Sequence, residues 1–340
     1  MLNFKKVIQN GCFAIVALAS IALIGWFFNI KVFTQILPDL PSMKFNTAIC
    51  FLLLGILLFR KKRNRQSRVT TSVALLLLLI TTLTLSQDIF HYNLGIDQLI
   101  IEDSESIKLG KGTPGRMSGA TALSFMLLSI SILFITSKKK TLSIFAAYLS
   151  HIVVIISFLS ILGFIFKIPT FDKITFISSM AIHTAVAFFI GGITLSLKIP
   201  SFGITNLFIG NKTGNFMMRR LFVHLFLSTL ILSYLLVLGY RNDFFEADFA
   251  IALFGVLVLG STIFSLATTV HRINYIERQR WLIQEELAAT NTYLNATPDP
   301  IAILNENGEI ELVNQLMQNT FGYTQDELKG QHMDCLIPKS

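Results

Sequence analysis

Apolar residues gather into long runs over the first 270 positions, separated by short polar breaks, while the last fifty positions alternate and are punctuated by turn residues. Runs of about 18 or more apolar residues read as membrane-spanning helices. Eight such spans are expected, at 11–30, 46–59, 69–86, 119–136, 142–166, 176–197, 221–240 and 249–270, the short second one starting nearer Ser42. The first follows Lys5 and Lys6 but lacks a small-x-small cleavage site, so it reads as an uncleaved helix rather than a leader.

Lys and Arg in the short loops give the expected orientation. With the N-terminus in the cytoplasm, the inner loops carry Arg60 to Arg68, Lys138 to Lys140, Lys198, Lys212, Arg219 and Arg220, then Arg272, Arg278 and Arg280. The opposite side holds Asp88, Asp97, Glu102, Asp103 and Glu105, against Lys108, Lys111 and Arg116. Both termini are therefore expected on the cytoplasmic side. Composition agrees: 53% of residues are hydrophobic and 14% charged, with a mean hydropathy of +0.63. Soluble domains carry roughly 25% charged residues, which excludes a soluble enzyme, a secreted disulfide scaffold and a disordered tail. The net charge of +8 is then a topology signal, and nucleic acid is not an expected partner. The lipid bilayer is.

An internal repeat stands out. Met43-Lys44-Phe45-Asn46-Thr47-Ala48-Ile49-Cys50-Phe51 matches the stretch Met117 to Phe125 and again Met180 to Phe188, as Met-x-x-x-Thr-Ala-apolar-x-Phe. Three copies in one orientation imply three repeated helical hairpins, spans 1–2, 3–4 and 5–6, with spans 7–8 outside the pattern. Thr and Phe four residues apart share a helix face. Thr47, Thr121 and Thr184 either pack the hairpins together or surround an outward-opening cavity, to which Asn46 and His183, at one repeat position, add polar groups. An ionisable group within a membrane is a functional-site hypothesis by default, so His183 is the leading sensing candidate. Asp88, His91 and Asp97, in the long outer segment 87–118, are further ligand candidates or simply a solvated loop.

No catalytic or metal-ligating set emerges, and no cofactor is expected. Cys12, Cys50 and Cys335 have no metal or redox spacing and read as ordinary thiols. His151, His183 and His224 fall at depths too different for one haem iron.

Beyond Val270 the helical pattern continues. Ile273, Arg280, Leu287 and Leu294 as heptad a positions, with Ile276, Ile283 and Thr290 at d, form a short parallel coiled-coil seam. Ile273, Ile276, Ile283, Leu287 and Leu294 are the expected transmission residues, and a homodimer through this linker is expected. Pro298 and Pro300 end the helix, and a strand, an Asn-Gly turn, a second strand and two short helices follow.

The segment Asn295 to Leu304, then Gly308-Glu309-Ile310, Val313-Asn314, Phe321-Gly322-Tyr323 and Glu327 to Gly330, resembles the first half of a PAS domain. The membrane part, through "FNTAICFLLLG", "NLGIDQLI", "GRMSGATALSF" and "MAIHTAVAFF", is similar to multi-span input regions of bacterial sensor proteins that precede PAS modules. The resemblance implies an all-α polytopic domain (1–270), a signalling helix (271–294) and an incomplete α+β PAS domain (295–340), with only two of five strands present and the chain truncated inside it. It also implies a sensory input region of the bacterial inner (plasma) membrane. The output would lie beyond Ser340: a histidine kinase acting on a response regulator, or a diguanylate cyclase or phosphodiesterase. A PAS-regulated transporter ranks lower because the span centres lack Asp, Glu, Lys and Arg, and a membrane enzyme because paired intramembrane carboxylates and HExxH are absent.

Overall fold

The computed structural model describes residues 4–36, 40–60, 68–109, 113–137, 139–166, 180–210 and 212–336. Eight helices form in the order of the eight apolar runs: α1 Phe4–Phe27, α2 Phe45–Phe59, α3 Arg68–Phe90, α4 Gly119–Thr136, α5 Lys140–Phe166, α6 Ile182–Leu197, α7 Thr213–Arg241 and α8 Ala247–Ala296. The chain divides into two compact units between Val258 and Leu259, within α8.

The helices at the eight expected spans differ in length. Among the described residues, six helices are long and apolar enough to cross a membrane, whereas α2 and α6 are shorter, at 15 and 16 residues. At about 1.5 Å per residue these two cover about 22–24 Å, short of a hydrocarbon core of about 30 Å. Both start late because the chain is still extended at Lys44 (ψ 153°) and Ala181 (ψ 147°). Ser118 ahead of α4 has the same conformation (ψ 153°). Three equivalent entries into three helices are the repeat seen in backbone form. The predicted start of the sixth span, before residue 180, lies outside the described residues.

In the first unit α1 to α6 form a closed ring of three antiparallel hairpins, α1–α2, α3–α4 and α5–α6, with α6 returning to pack on α1. Small residues set the close approaches. A Cβ on Gly11 of α1 would collide with Thr194 of α6, one on Gly55 of α2 with Val16 of α1, and one on Gly192 of α6 would lie 2.6 Å from Val154 of α5. Lipid tails are as apolar as Leu, so helices associate there through packing and hydrogen bonds. Ser131 accordingly crosses from α4 to the Ala146 carbonyl of α5 at 2.8 Å.

The repeat residues meet on the ring axis. Phe51, Phe125 and Phe188 form a triangle with all three centroid separations at 4.6 Å. One turn towards the helix N-termini are Thr47, Thr121 and Thr184, and Met43, Met117 and Met180 stand just before the three helices, all buried. Thr and Phe are spaced i, i+4 within each helix and hence share one face, while each Met precedes its helix by two residues. The axis is thus built as stacked layers, each drawing one residue from each hairpin.

α7 lies outside the ring and meets α5 through Phe226 on Phe158 (5.3 Å) and Tyr234 on Phe166 (6.3 Å). Only 6% of its most apolar window is buried, against 56% for α4.

The second unit holds the C-terminal part of α8 and a two-stranded antiparallel sheet, β1 Ala302–Leu304 and β2 Ile310–Val313, followed by α9 Gln315–Phe321 and α10 Gln325–Leu328. Its core is Ile310, Val313, Met317 and Leu328. Asn314 organises it: the buried amide oxygen accepts from the Ile301 and Met317 N–H groups, and the amide nitrogen donates to the Leu294 and Asp299 carbonyls. Gly322, at φ 74°, ends α9 in the left-handed conformation that glycine adopts without penalty. Thr324 and Glu327 form a capping box at the start of α10.

Candidate functional site

Gln87, Asp88, Asp97, Asp103 and Arg116, from the polar segment 87–118, form a cap over the N-terminus of α2 with Lys44 and Asn46. Gln87, the first of them, ends the buried face of α3, and its Oε1 accepts from the Leu94 N–H at 2.7 Å. His91 closes α3 in the left-handed conformation (φ 55°), open to histidine at modest cost. Gly115, at φ 73°, brings the chain against the Asp97 carbonyl, where a Cβ would lie 2.6 Å from that oxygen.

Two ion-pair arms result. Arg116 donates from Nε to Asp97 Oδ2 at 2.8 Å, from Nη1 to Asp88 Oδ1 at 3.2 Å and from Nη2 to Gln87 Oε1 at 3.2 Å. Lys44, immediately before α2, donates to Asp103 Oδ2 at 2.5 Å and to Ser106 Oγ at 2.8 Å. Asp103 also accepts from the Ser106 and Gly115 N–H groups, each at 3.1 Å. Asn46 in the first turn of α2 joins the arms by donating to the Asp97 carbonyl at 2.9 Å.

Asp97, Asp103 and Arg116 are buried, and charges out of water persist only when paired and hydrogen-bonded. Burial pushes the Asp103 carboxyl up, but the bonds from Lys44 and Ser106 outweigh it and hold the group below the ordinary carboxylate range. Burial likewise works against the Arg116 cation, and Asp97 and Asp88 more than offset it, so that its pKa is raised.

Of the residues singled out in the sequence, Asn46, Asp88 and Asp97 come together in this cap. His91 stays outside it as an exposed helix end. Thr47, Thr121 and Thr184 form the axial layer, where Thr121 Oγ1 and Ser118 Oγ lie 2.8 Å apart. His183, in the first turn of α6, is 6% exposed, and both its ring nitrogens lack a hydrogen-bond partner among the described residues. His151 sits at the other end of the α5–α6 hairpin, with Nδ1 2.5 Å from the Ala147 carbonyl and Nε2 3.1 Å from Thr205.

Sequence reasoning missed Arg116, Lys44 and Asp103 as a connected set. Their spacing carries no motif, since the partners are 19 to 59 residues apart. The only available signal was an Arg and a Lys at the acidic end of the chain's charge distribution. In the linker, Ile273 is buried, Ile276 and Leu294 half-buried, and Ile283 and Leu287 exposed at 56% and 64%.

Residues 290–340 match the family model described as PAS fold. No curated protein and no solved structure matches the chain.

Proposed function

We propose that the chain is the sensory input region of a bacterial signal-transduction protein, embedded in the inner membrane by eight helices. The observation that carries this reading is the PAS match at residues 290–340, which begins in the last turns of α8, a helix with an apolar window long enough to cross a membrane. A signal received at the capped end of the three-hairpin ring would pass through α8 and its linker to the PAS module, and then to an output domain, a histidine kinase first and a diguanylate cyclase or phosphodiesterase second. His183, Asn46, Asp88 and Asp97, with the threonine layer, are the sensing residues in this reading. A buried imidazole with no hydrogen-bond partner among the described residues is a candidate to accept or donate to a ligand, and a signal must bind two states of the ring unequally to shift it. Ile273, Ile276, Ile283, Leu287 and Leu294 would pair with a second copy, which gives the exposed Ile283 and Leu287 an apolar partner.

Both termini are cytoplasmic in this reading, because the basic loops gather on one side. Reporter fusions after Arg65, Lys139 and Arg278 are expected to report the cytoplasm, and fusions near Glu102 and Asp243 the opposite side. Reversal at two sites overturns the orientation. Leu287→Cys, in a Cys335→Ser background in native membranes, is expected to cross-link two chains, and a monomer under oxidation removes the dimer. In the proposed signalling protein with an output domain attached, His183→Ala is expected to shift the dose response with insertion intact; an unchanged response assigns His183 to packing.

A further inference from the structure

The last turn of α8 is joined to the two-stranded sheet by hydrogen bonds rather than by apolar packing. No described residue of α8 after Ile273 is buried. The core of Ile310, Val313, Met317 and Leu328, with Ala302, Met333 and Leu336 packed on it, takes in no α8 side chain among the described residues. A helix leaves its last four carbonyls without partners of its own. In α8, which ends at Ala296, the Tyr293 carbonyl accepts from Thr297 Oγ1 at 3.0 Å.

Asn314 takes the next carbonyl. Its Nδ2 donates to the Leu294 carbonyl at 3.0 Å and to the Asp299 carbonyl at 2.9 Å. Its Oδ1 accepts from the Ile301 and Met317 N–H groups, each at 2.9 Å. The two halves of one amide therefore have separate duties: the oxygen caps α9, and the nitrogen holds the end of α8. The side chain is buried, at 1% exposure, so water is not at hand to replace a broken bond. A second tie runs alongside, where the Gln315 N–H donates to Asn295 Oδ1 at 2.7 Å. Hydrogen bonds hold over a range of only a few tenths of an ångström, so a shift of the helix end by about 1 Å either carries Asn314 with it or breaks the bond.

We propose that Asn314 is the coupling residue of this protein: its amide nitrogen clasps the end of α8 to β2 and α9, so that movement of the helix enters the sheet region there. The inference rests on the reading in which α8 carries a signal towards the PAS-matched segment, and it names the residue that receives it. Asn314 acts by position and binds no ligand.

The test is hydrogen exchange of the 340-residue chain in detergent, read by mass spectrometry. Asn314→Asp keeps an oxygen to cap α9, since Asp caps as well as Asn, and sets a carboxylate against the Leu294 and Asp299 carbonyls. It is expected to speed exchange over residues 290–297 about fivefold and to leave α9 unchanged. Ala289→Gly, at an exposed position of α8, loosens the same turns without touching the clasp. In the native background it should also speed exchange in α9 about threefold, and in the Asn314→Asp background that added effect should vanish. Equal acceleration of α9 by Ala289→Gly in both backgrounds, or none in the native one, overturns the proposal. So does an Asn314→Asp chain that exchanges like the parent. Asn314→Ser, which also caps α9 and lacks the amide nitrogen, decides if the Asp variant fails to fold. Failure here with the reporter fusions as expected leaves the membrane reading standing; reversed fusions with this cycle as expected remove the orientation and leave the clasp.

Discussion

The ring helices and α7 are almost equally hydrophobic, yet they are used in opposite ways. α4 and α7 have mean hydropathies of 2.0 and 2.3 over their most apolar windows, but just over half of the α4 window is buried and almost none of the α7 window. What separates them is the small and hydroxylated residues. α4 buries Gly119, Ala120, Thr121, Ala122, Ser124, Ser129 and Ser131 along with its large side chains, while α7 buries only Leu236 and Gly239. Where the surrounding solvent is itself apolar, exposing Leu costs nothing, so close backbone approach and hydroxyl bonds decide which helices pack. Hydrophobicity selects the solvent; small residues select the neighbour.

The sharpest way to break this comparison is to empty the axis. Phe51→Ala is expected to destabilise the ring by about 3–5 kcal/mol, with Phe125→Ala and Phe188→Ala close to it because the triangle is symmetric. Phe264→Ala, at a position 66% exposed, should change stability by less than about 0.5 kcal/mol. Unfolding in detergent followed by circular dichroism measures all four, and equal effects at Phe51 and Phe264 would abolish the distinction between packed and unpacked helices.

The cap sharpens it from the polar side. Arg116→Met strips Asp97 of its cation inside the protein and should cost about 3–5 kcal/mol. The double variant Arg116→Met/Asp97→Asn should recover part of that loss, since no uncompensated charge remains. A single variant as stable as the parent would mean that the arm is solvated.

Overpacking comes next in size. Gly192→Val drives a side chain into Val154 and towards the Ser150 carbonyl, 2.9 Å from the added Cβ, at a cost of about 1–3 kcal/mol. Gly255→Val on α8, where nothing lies within 4 Å, is expected to be neutral in the same assay.

The smallest effect is that of pH on the Lys44–Asp103 arm. Asp103 has a folded pKa below its unfolded one, so its contribution is complete above the ordinary aspartate range and is lost as pH falls through the depressed folded value. Hydrogen exchange of residues 103–109 should therefore remain slow at pH 5 and accelerate only below the ordinary aspartate pKa of about 3.9. In Lys44→Gln, acceleration should begin at higher pH, and an unchanged onset would assign the shift to another group.

Much of the architecture was legible in the chain itself. Eight helices follow eight apolar runs because helix periodicity and apolar length are local properties, and the Met-Thr-Ala-Phe repeat announced three equivalent hairpins because internal duplication survives as spacing. The PAS-like strands, turn and capped helices were equally readable, each being set by neighbours within a few residues. Helix lengths were less so: α2 begins at Phe45 rather than Ser42 because an extended Lys44 delays its first turn.

Tertiary structure alone decided which residues meet. That Phe51, Phe125 and Phe188 touch one another, that Arg116 reaches Asp97 and Asp88, and that Lys44 reaches Asp103 across 59 positions depends on closing the ring. The local spacing of a charge indicates whether it sits near water, but its partner is chosen by the chain's long-range path. Periodicity is written residue by residue, whereas ion-pair geometry exists only after distant segments have been brought within about 3 Å of each other.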